Sequence, residues 1–168
     1  MLDYARDLVT TVERTTRELS PVPPEVAARR PAPGKWSVQE IIGHLVDSAS
    51  NNHQRFVRAR WQDDLVFPTY DQDAWVTAQR YDAADWRELL ALWRSFNLHV
   101  AHVMEATPDE VRLREHRRHN LDRVGWQPFA ADRPATLDWF MRDYVGHLHH
   151  HLRQVGAIVP LSCVRPDA

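Results

Sequence analysis

The sequence predicts an all-α protein, a four-helix bundle of up-down helices with long connections after the second and third helices. Three observations carry this expectation. Apolar residues recur at helical spacing in four long stretches, no segment reads as a strand, and no repeat recurs at a fixed period. Prolines and polar residues fall between the stretches, as antiparallel helices joined by connections require.

The first helix is expected over residues 2–19, which lack Pro and Gly and carry Leu8, Val12, Thr15 and Leu19 on one face. Pro21, Pro23 and Pro24 stop it, because proline has no amide to donate and disfavours helix in the residue before it. A linker follows to Pro33 and Gly34, with one short helical turn at 25–29. The second helix has the clearest start: Ser37-Val38-Gln39-Glu40 reads as a capping box, with Trp36 and Ile41 as the hydrophobic staple. Val38, Ile41, Ile42, Leu45, Val46, Ala49 and Phe56 mark its buried face, which runs to about Arg60. Residues 61–81 form a long connection with a short helix around 73–78, of the kind that often covers a site. Asp82-Ala83-Ala84-Asp85 resembles a second capping arrangement and opens the third helix, whose stripe is Trp86, Leu89, Leu90, Trp93, Phe96, Val100 and Met104. Thr107, Pro108, Asp109 and Glu110 predict one short helix, with proline at its first position and acids in its first turn. Residues 115–134 show no sustained period and read as a loop. The fourth helix is expected over 136–155, with Leu137, Phe140, Met141, Tyr144, Leu148, Leu152 and Val155 facing inward and a loose tail from about residue 160.

A length of 168 residues predicts one domain. The formal charge of −2, from 21 basic and 23 acidic residues, gives no field that would draw nucleic acid or an anionic membrane, so the expected partner is a small molecule. The lone Cys163 excludes an intrachain disulfide framework and a multi-cysteine metal site. Residues 1–7 lack the basic-then-apolar order of a secretory signal and no apolar run is long enough to span a bilayer, which predicts a cytoplasmic protein. Lys35 is the single lysine against twenty arginines, a bias that points to a GC-rich genome more than to a mechanism.

Four of the ten histidines crowd into residues 143–154. Residues four apart on a helix stand one turn above each other, about 5–6 Å between Cβ atoms, so His147 and His151 can close on one metal ion. At about 100° per residue both border the apolar stripe, whereas His149 and His150 point away and are read as solvent-facing. Two ligands hold a metal poorly, so a third must come from another helix. His44 is the best candidate, on the shoulder of the second helix's core face. His53 lies more than two turns further on, His99 and His102 fall off the third stripe, and His116 and His119 lie in the loop. The bland alternative for each is a histidine at the core edge or in solvent.

The residues Lys35-Trp36-Ser37-Val38-Gln39-Glu40-Ile41-Ile42-Gly43-His44-Leu45-Val46-Asp47, followed by Leu137-Asp138-Trp139-Phe140 and then by His147, His151 and Gln154, resemble the DinB/YfiT-like superfamily of metalloenzymes. The resemblance covers nearly the whole chain in helix order and spacing, through few matching residues. It implies that a histidine of the second helix and two of the last helix bind a divalent metal, by position His44, His147 and His151, the trio that the helical geometry also selects. It further implies metal-dependent hydrolysis, or transfer and isomerisation reactions with a low-molecular-weight thiol as cosubstrate. Three neutral imidazoles leave a bound ion its full charge, which favours the deprotonated form of either water or a thiol. Imidazole ligands suit zinc, nickel, copper and iron, with zinc or nickel expected first.

Around the trio, Asp47 stands three residues after His44 and is expected to accept a ligand N–H or to act as an outer base. Glu40 is read as a capping residue. Asp143 and Gln154 are placed to orient imidazoles. Trp36, Trp86, Trp93 and Trp139 have uses as staples or core, while Trp61, Trp75 and Trp126 are read as loop anchors, with the lining of an apolar pocket as the second reading. The alternative from another class is a non-catalytic bundle that binds metal structurally or as a sensor, or that dimerises; a homodimer is compatible with both readings.

Overall fold

The structure, a computed structural model, describes residues 1–161. The helices in chain order are α1 (Asp3–Leu19), α2 (Pro24–Ala27), α3 (Val38–Arg58), α4 (Gln72–Ala78), α5 (Trp86–Glu105), α6 (Asp109–Arg112), α7 (Leu121–Val124) and α8 (Leu137–Ile158), with a 3₁₀ turn at Tyr81–Ala83. Among the described residues there is no strand, only two isolated bridges, Leu65 with His119 and His116 with Ala135. No helix of these residues is long and apolar enough to cross a membrane. Cys163 and most of the tail expected to be loose lie outside the described residues.

The long helices form the four-helix bundle that the sequence predicts. Around the ring the neighbours are α1 with α5, α5 with α3, α3 with α8, and α8 with α1. Named contacts give their directions. The Leu2 amide donates to the Glu105 carboxylate while Arg94 pairs with Glu13 at 2.5 Å, so α1 and α5 are antiparallel. Trp36 lies near His151 while Phe56 meets Phe140, so α3 and α8 are antiparallel as well. Gln39 donates to the carbonyls of Tyr81 and Ala84 at the start of α5, and Arg60 donates to the Ala106 carbonyl at its end, so α3 and α5 run parallel. Along the chain the long helices therefore run up, down, down, up, and not in the alternating up-down order expected from the sequence. A parallel neighbour cannot be reached by a tight turn, which is why residues 59–85 make a long crossover instead of a short loop.

Capping chemistry explains where the helices begin. At α3 the box is complete: Ser37 Oγ accepts the Glu40 amide at 3.1 Å and Glu40 Oε2 accepts the Ser37 amide at 2.9 Å. Arg30 closes on the same carboxylate from the linker and holds it below the usual carboxylate range against its burial. At α5 the cap is Asp85, which accepts the Glu88 amide at 2.9 Å; the residues from Asp82 belong to the 3₁₀ turn, so the start lies three residues later than the first acidic residue suggests. Thr136 caps α8, which continues through Gly156 to Ile158. The loop expected over 115–134 contains α7 and is tied down by the two bridges, a non-local pairing that has no helical or strand period to announce it.

Packing at the α3–α8 seam sets the floor under the site. Phe56 is fully buried and meets the rings of Phe140 and Tyr144 edge-on at 5.7 and 5.9 Å. The Tyr144 hydroxyl donates to Asn97 Oδ1 at 2.5 Å, satisfying a polar pair deep in the core. Gly43 has a packing reason: a Cβ there would lie 2.3 Å from the Tyr81 ring, so only glycine lets that ring press against α3.

Candidate functional site

On α3 the residues His44, Ser48, Asn52 and Arg55 recur at intervals of four, four and three, and on α8 Phe140, Tyr144, His147 and His151 recur at four, three and four. At about 100° per residue each set falls on one face, and the two faces meet across the antiparallel seam. This register brings together the three histidines singled out from the sequence. Their ligand atoms all lie within 4.8 Å of one another, on two helices about a hundred residues apart in the chain.

The ring geometry is that of three nitrogens turned toward one point. His44 Nε2 and His147 Nε2 stand 3.4 Å apart. Two nitrogens bound to one tetrahedral ion at about 2.0–2.1 Å are themselves about 3.4 Å apart, so the spacing fits a shared cation. The other ring nitrogen of His151 donates to Gln154 Oε1 at 3.0 Å, and Nδ1 of His147 pairs with Ser48 Oγ at 3.3 Å. Those bonds fix two rings with Nε2 facing inward, as orienting partners of metal-ligating histidines do. Nδ1 of His44 is buried with no hydrogen-bond partner among the described residues, while the Trp36 ring lies 5.1 Å from this imidazole and 6.4 Å from that of His151.

Burial keeps the trio neutral. Desolvation, with the neighbouring His151 as the second cause, lowers His44 to about 3. Desolvation brings His151 to about 4, against the raising effect of its bond to Gln154. His147 is driven well below the ordinary histidine value by burial, then by His151 and His44. Neutral imidazoles have free electron pairs, so the donor set present suits a borderline divalent cation and has no proton to displace at neutral pH.

The other residues singled out from the sequence find different work. Asp47 is buried with Oδ1 accepting the Tyr81 hydroxyl at 2.8 Å and the Gln79 amide at 2.5 Å, contacts that hold the segment before α5. No hydrogen bond among the described residues joins it to the three imidazoles. Asp143, expected to orient an imidazole, instead accepts the amides of Trp126 and Gln127 at 2.7 and 2.8 Å and so pins the wall of the adjoining cavity. His149 and His150, expected to face solvent, are half-buried: His149 turns to Asp7 on α1 at 2.8 Å, whereas His150 stays beside the trio, its ring 5.2 Å from that of His151, and accepts from Gln154 beneath Trp126. His116 and His119 bond to loop carbonyls of Asp63 and Arg133 and are not brought to the trio. The His53 and His99 rings lie 5.0 Å apart at a tilt on the far side of α3, with His102 beside His99. Of the loop tryptophans, Trp126 lines the cavity, whereas Trp61 is 85% exposed and anchors nothing. Ser48 is the site residue that the sequence reading missed; its signal was its place four residues after His44.

Two cavities meet the trio from different sides. One, of about 300 Å³, opens beside His44 and His147 and is walled by Ser48, Asn52, Arg55, Tyr70 and Trp126. The other, of about 480 Å³, opens beside His151 between Trp36, Ile41 and Ile158, and Gln72 borders both. The crossover therefore does cover the site, through Thr69, Tyr70 and Gln72.

Known proteins share this arrangement of helices. A Bacillus subtilis (strain 168) protein named "Putative metal-dependent hydrolase YfiT" is 25% identical over 122 residues, covering 73% of this chain and 63% of that protein's length. The solved structure of YfiT from Bacillus subtilis, described as a probable metal-dependent hydrolase with an unusual four-helix bundle topology, superposes with a TM-score of 0.74. That likeness covers 92% of this chain and 83% of the other at 19% identity, and it speaks for the fold. The family model of the DinB superfamily matches residues 7–155, which include every long helix but the ends of the first and last. With the bundle, the crossover and the matched span in agreement, the chain belongs to the DinB superfamily.

Proposed function

We propose that this protein is a divalent-metal-dependent enzyme acting on a small molecule, with His44, His147 and His151 as the metal ligands. The observation that carries the reading is the convergence of three neutral imidazoles, His44 and His151 buried and His147 half-buried, two of them oriented by Ser48 and Gln154, at the mouth of a cavity. A cation held there, zinc or nickel by the donor set, would supply Lewis acidity and favour a deprotonated nucleophile. Three protein ligands leave a position open, as catalytic sites do, whereas a structural site closes its shell with four. The protein's own part is to keep the imidazoles unprotonated, hold two of them through Ser48 and Gln154, and exclude bulk water with Trp36 and the crossover. Asp47 acts in this reading through Tyr81 and Gln79, as a positioning residue for the crossover.

Hydrolysis is the first reading, supported by the name of the Bacillus subtilis relative. The second reading, transfer to or from a small thiol, is favoured by one feature: cavities on two sides of the trio give room for two reactants. Elemental analysis of untagged protein, joined to an activity panel with water and several thiols as acceptors, tests both. The proposal expects about one divalent ion per chain and turnover that is lost with a chelator. A chain without metal in every preparation would contradict it, and turnover that depends on thiol would replace hydrolysis with transfer.

A further inference from the structure

Arg55 is a buried cation that no anion pairs with among the described residues. Its residue is 6% exposed, yet its guanidinium donates only to neutral oxygens, the Pro68 carbonyl at 2.9 Å and Asn52 Oδ1 at 3.4 Å, and lies over the Phe140 ring at 5.9 Å. Those two bonds use two of its five N–H groups. Burying an unpaired charge is costly, and burial lowers the pKa of this guanidinium from its ordinary value. Proteins that retain such a group usually give it a partner.

Among the described residues no anion pairs with it, but there is space for one. Arg55 lines the same cavity as His44 and His147, and long side chains on a helix lean toward its N-terminus, which for Arg55 is the direction of Asn52, Ser48 and His44. The carboxylate in the cavity wall, Asp143, is already occupied by two backbone amides. Arg123, on α7 at the exposed rim, adds a second positive charge and no ion pair among the described residues engages it. A volume of about 300 Å³ is at the small end of ligand pockets.

We infer that Arg55 is the anion-binding group of this cavity, and that the substrate is a small organic anion whose carboxylate or phosphate docks on Arg55 while its reacting group lies at the histidines. The planar guanidinium matches either oxyanion through paired N–H donors. The inference rests on the reading of this cavity as the substrate site, and it deepens that reading by naming the substrate's charge.

The test is run on metal-free protein, so that an anion binding to a metal cannot imitate it. Calorimetry or NMR titration with glutarate, inorganic phosphate and the neutral analogue glutaramide should show at least one of the anions binding about tenfold or more tightly than the amide. Arg55→Gln should remove that preference, Arg55→Lys should restore part of it, and Arg123→Gln should weaken it less. Thermal unfolding of each variant reports whether the bundle is intact, and the partial rescue by lysine separates charge recognition from a structural tie to Pro68. Equal binding of anion and amide, an unchanged preference in Arg55→Gln, or anion binding that occurs only after metal is added would each overturn the inference. Metal stoichiometry measured separately on the same samples tells its failure apart from failure of the three-histidine site.

Discussion

Two groups of three histidines sit on this bundle, and only one has the makings of a site. His53, His99 and His102 lie on the outer side of the α3–α5 seam; His44, His147 and His151 lie inside the α3–α8 seam. Ring separations barely distinguish them, 5.0 and 6.1 Å outside against 4.5 to 5.3 Å inside. The difference lies in what surrounds the rings. His99 and His102 are exposed, no hydrogen bond among the described residues orients any of the outer three, and they bound neither of the two cavities that reach the inner trio. Inside, Ser48 and Gln154 fix two rings and burial keeps all three unprotonated. Proximity of histidines is common in a histidine-rich chain, but convergent and oriented nitrogens are not.

The contrast can be broken most forcefully at a ligand. His147→Ala should weaken divalent-metal binding by more than about 100-fold, beyond what loss of an orienting partner costs, while His53→Ala leaves it unchanged. Competition with a chromophoric chelator measures both. Removing a partner instead of a ligand should do less: Ser48→Ala and Gln154→Ala are each expected to weaken metal binding by about 10- to 100-fold in the same assay, with unfolding by urea little affected. The wall of the inner cavity comes next. Asp143→Asn leaves one of two amides without a good acceptor and should cost about 1–2 kcal/mol in urea unfolding, with added exchange of the Trp126 and Gln127 amides. Smallest of all, His99→Ala on the outer group should shift stability by no more than about 0.5 kcal/mol, because an exposed side chain without a hydrogen bond has little to lose.

Much of this difference was legible in the sequence because helical periodicity is a local property. The spacing of His147 and His151, the capping box at Ser37 and the shoulder position of His44 follow from residues within a few turns of one another, and the structure brings the three histidines together. What stayed hidden depends on pairing between distant segments. Asp143 looked like a partner for His147 one turn away, but the amides of Trp126 and Gln127 arrive from a connection whose path no period describes. Asp47 likewise sits beside His44 in sequence and turns to Tyr81, admitted by the missing side chain at Gly43. The parallel placement of α3 and α5 departs from the up-down order expected from the sequence, since the length of residues 59–85 permits a crossover without requiring one.

The central claim is that the inner trio, and not the outer one, binds metal. Calorimetric titration of metal-free, untagged protein with zinc, repeated on His44→Ala and on the double variant His53→Ala, His99→Ala, puts it to the most direct test. The account predicts one tight equivalent in the wild type, none in His44→Ala and one in the double variant. Tight binding that survives in His44→Ala and disappears in the double variant would contradict it.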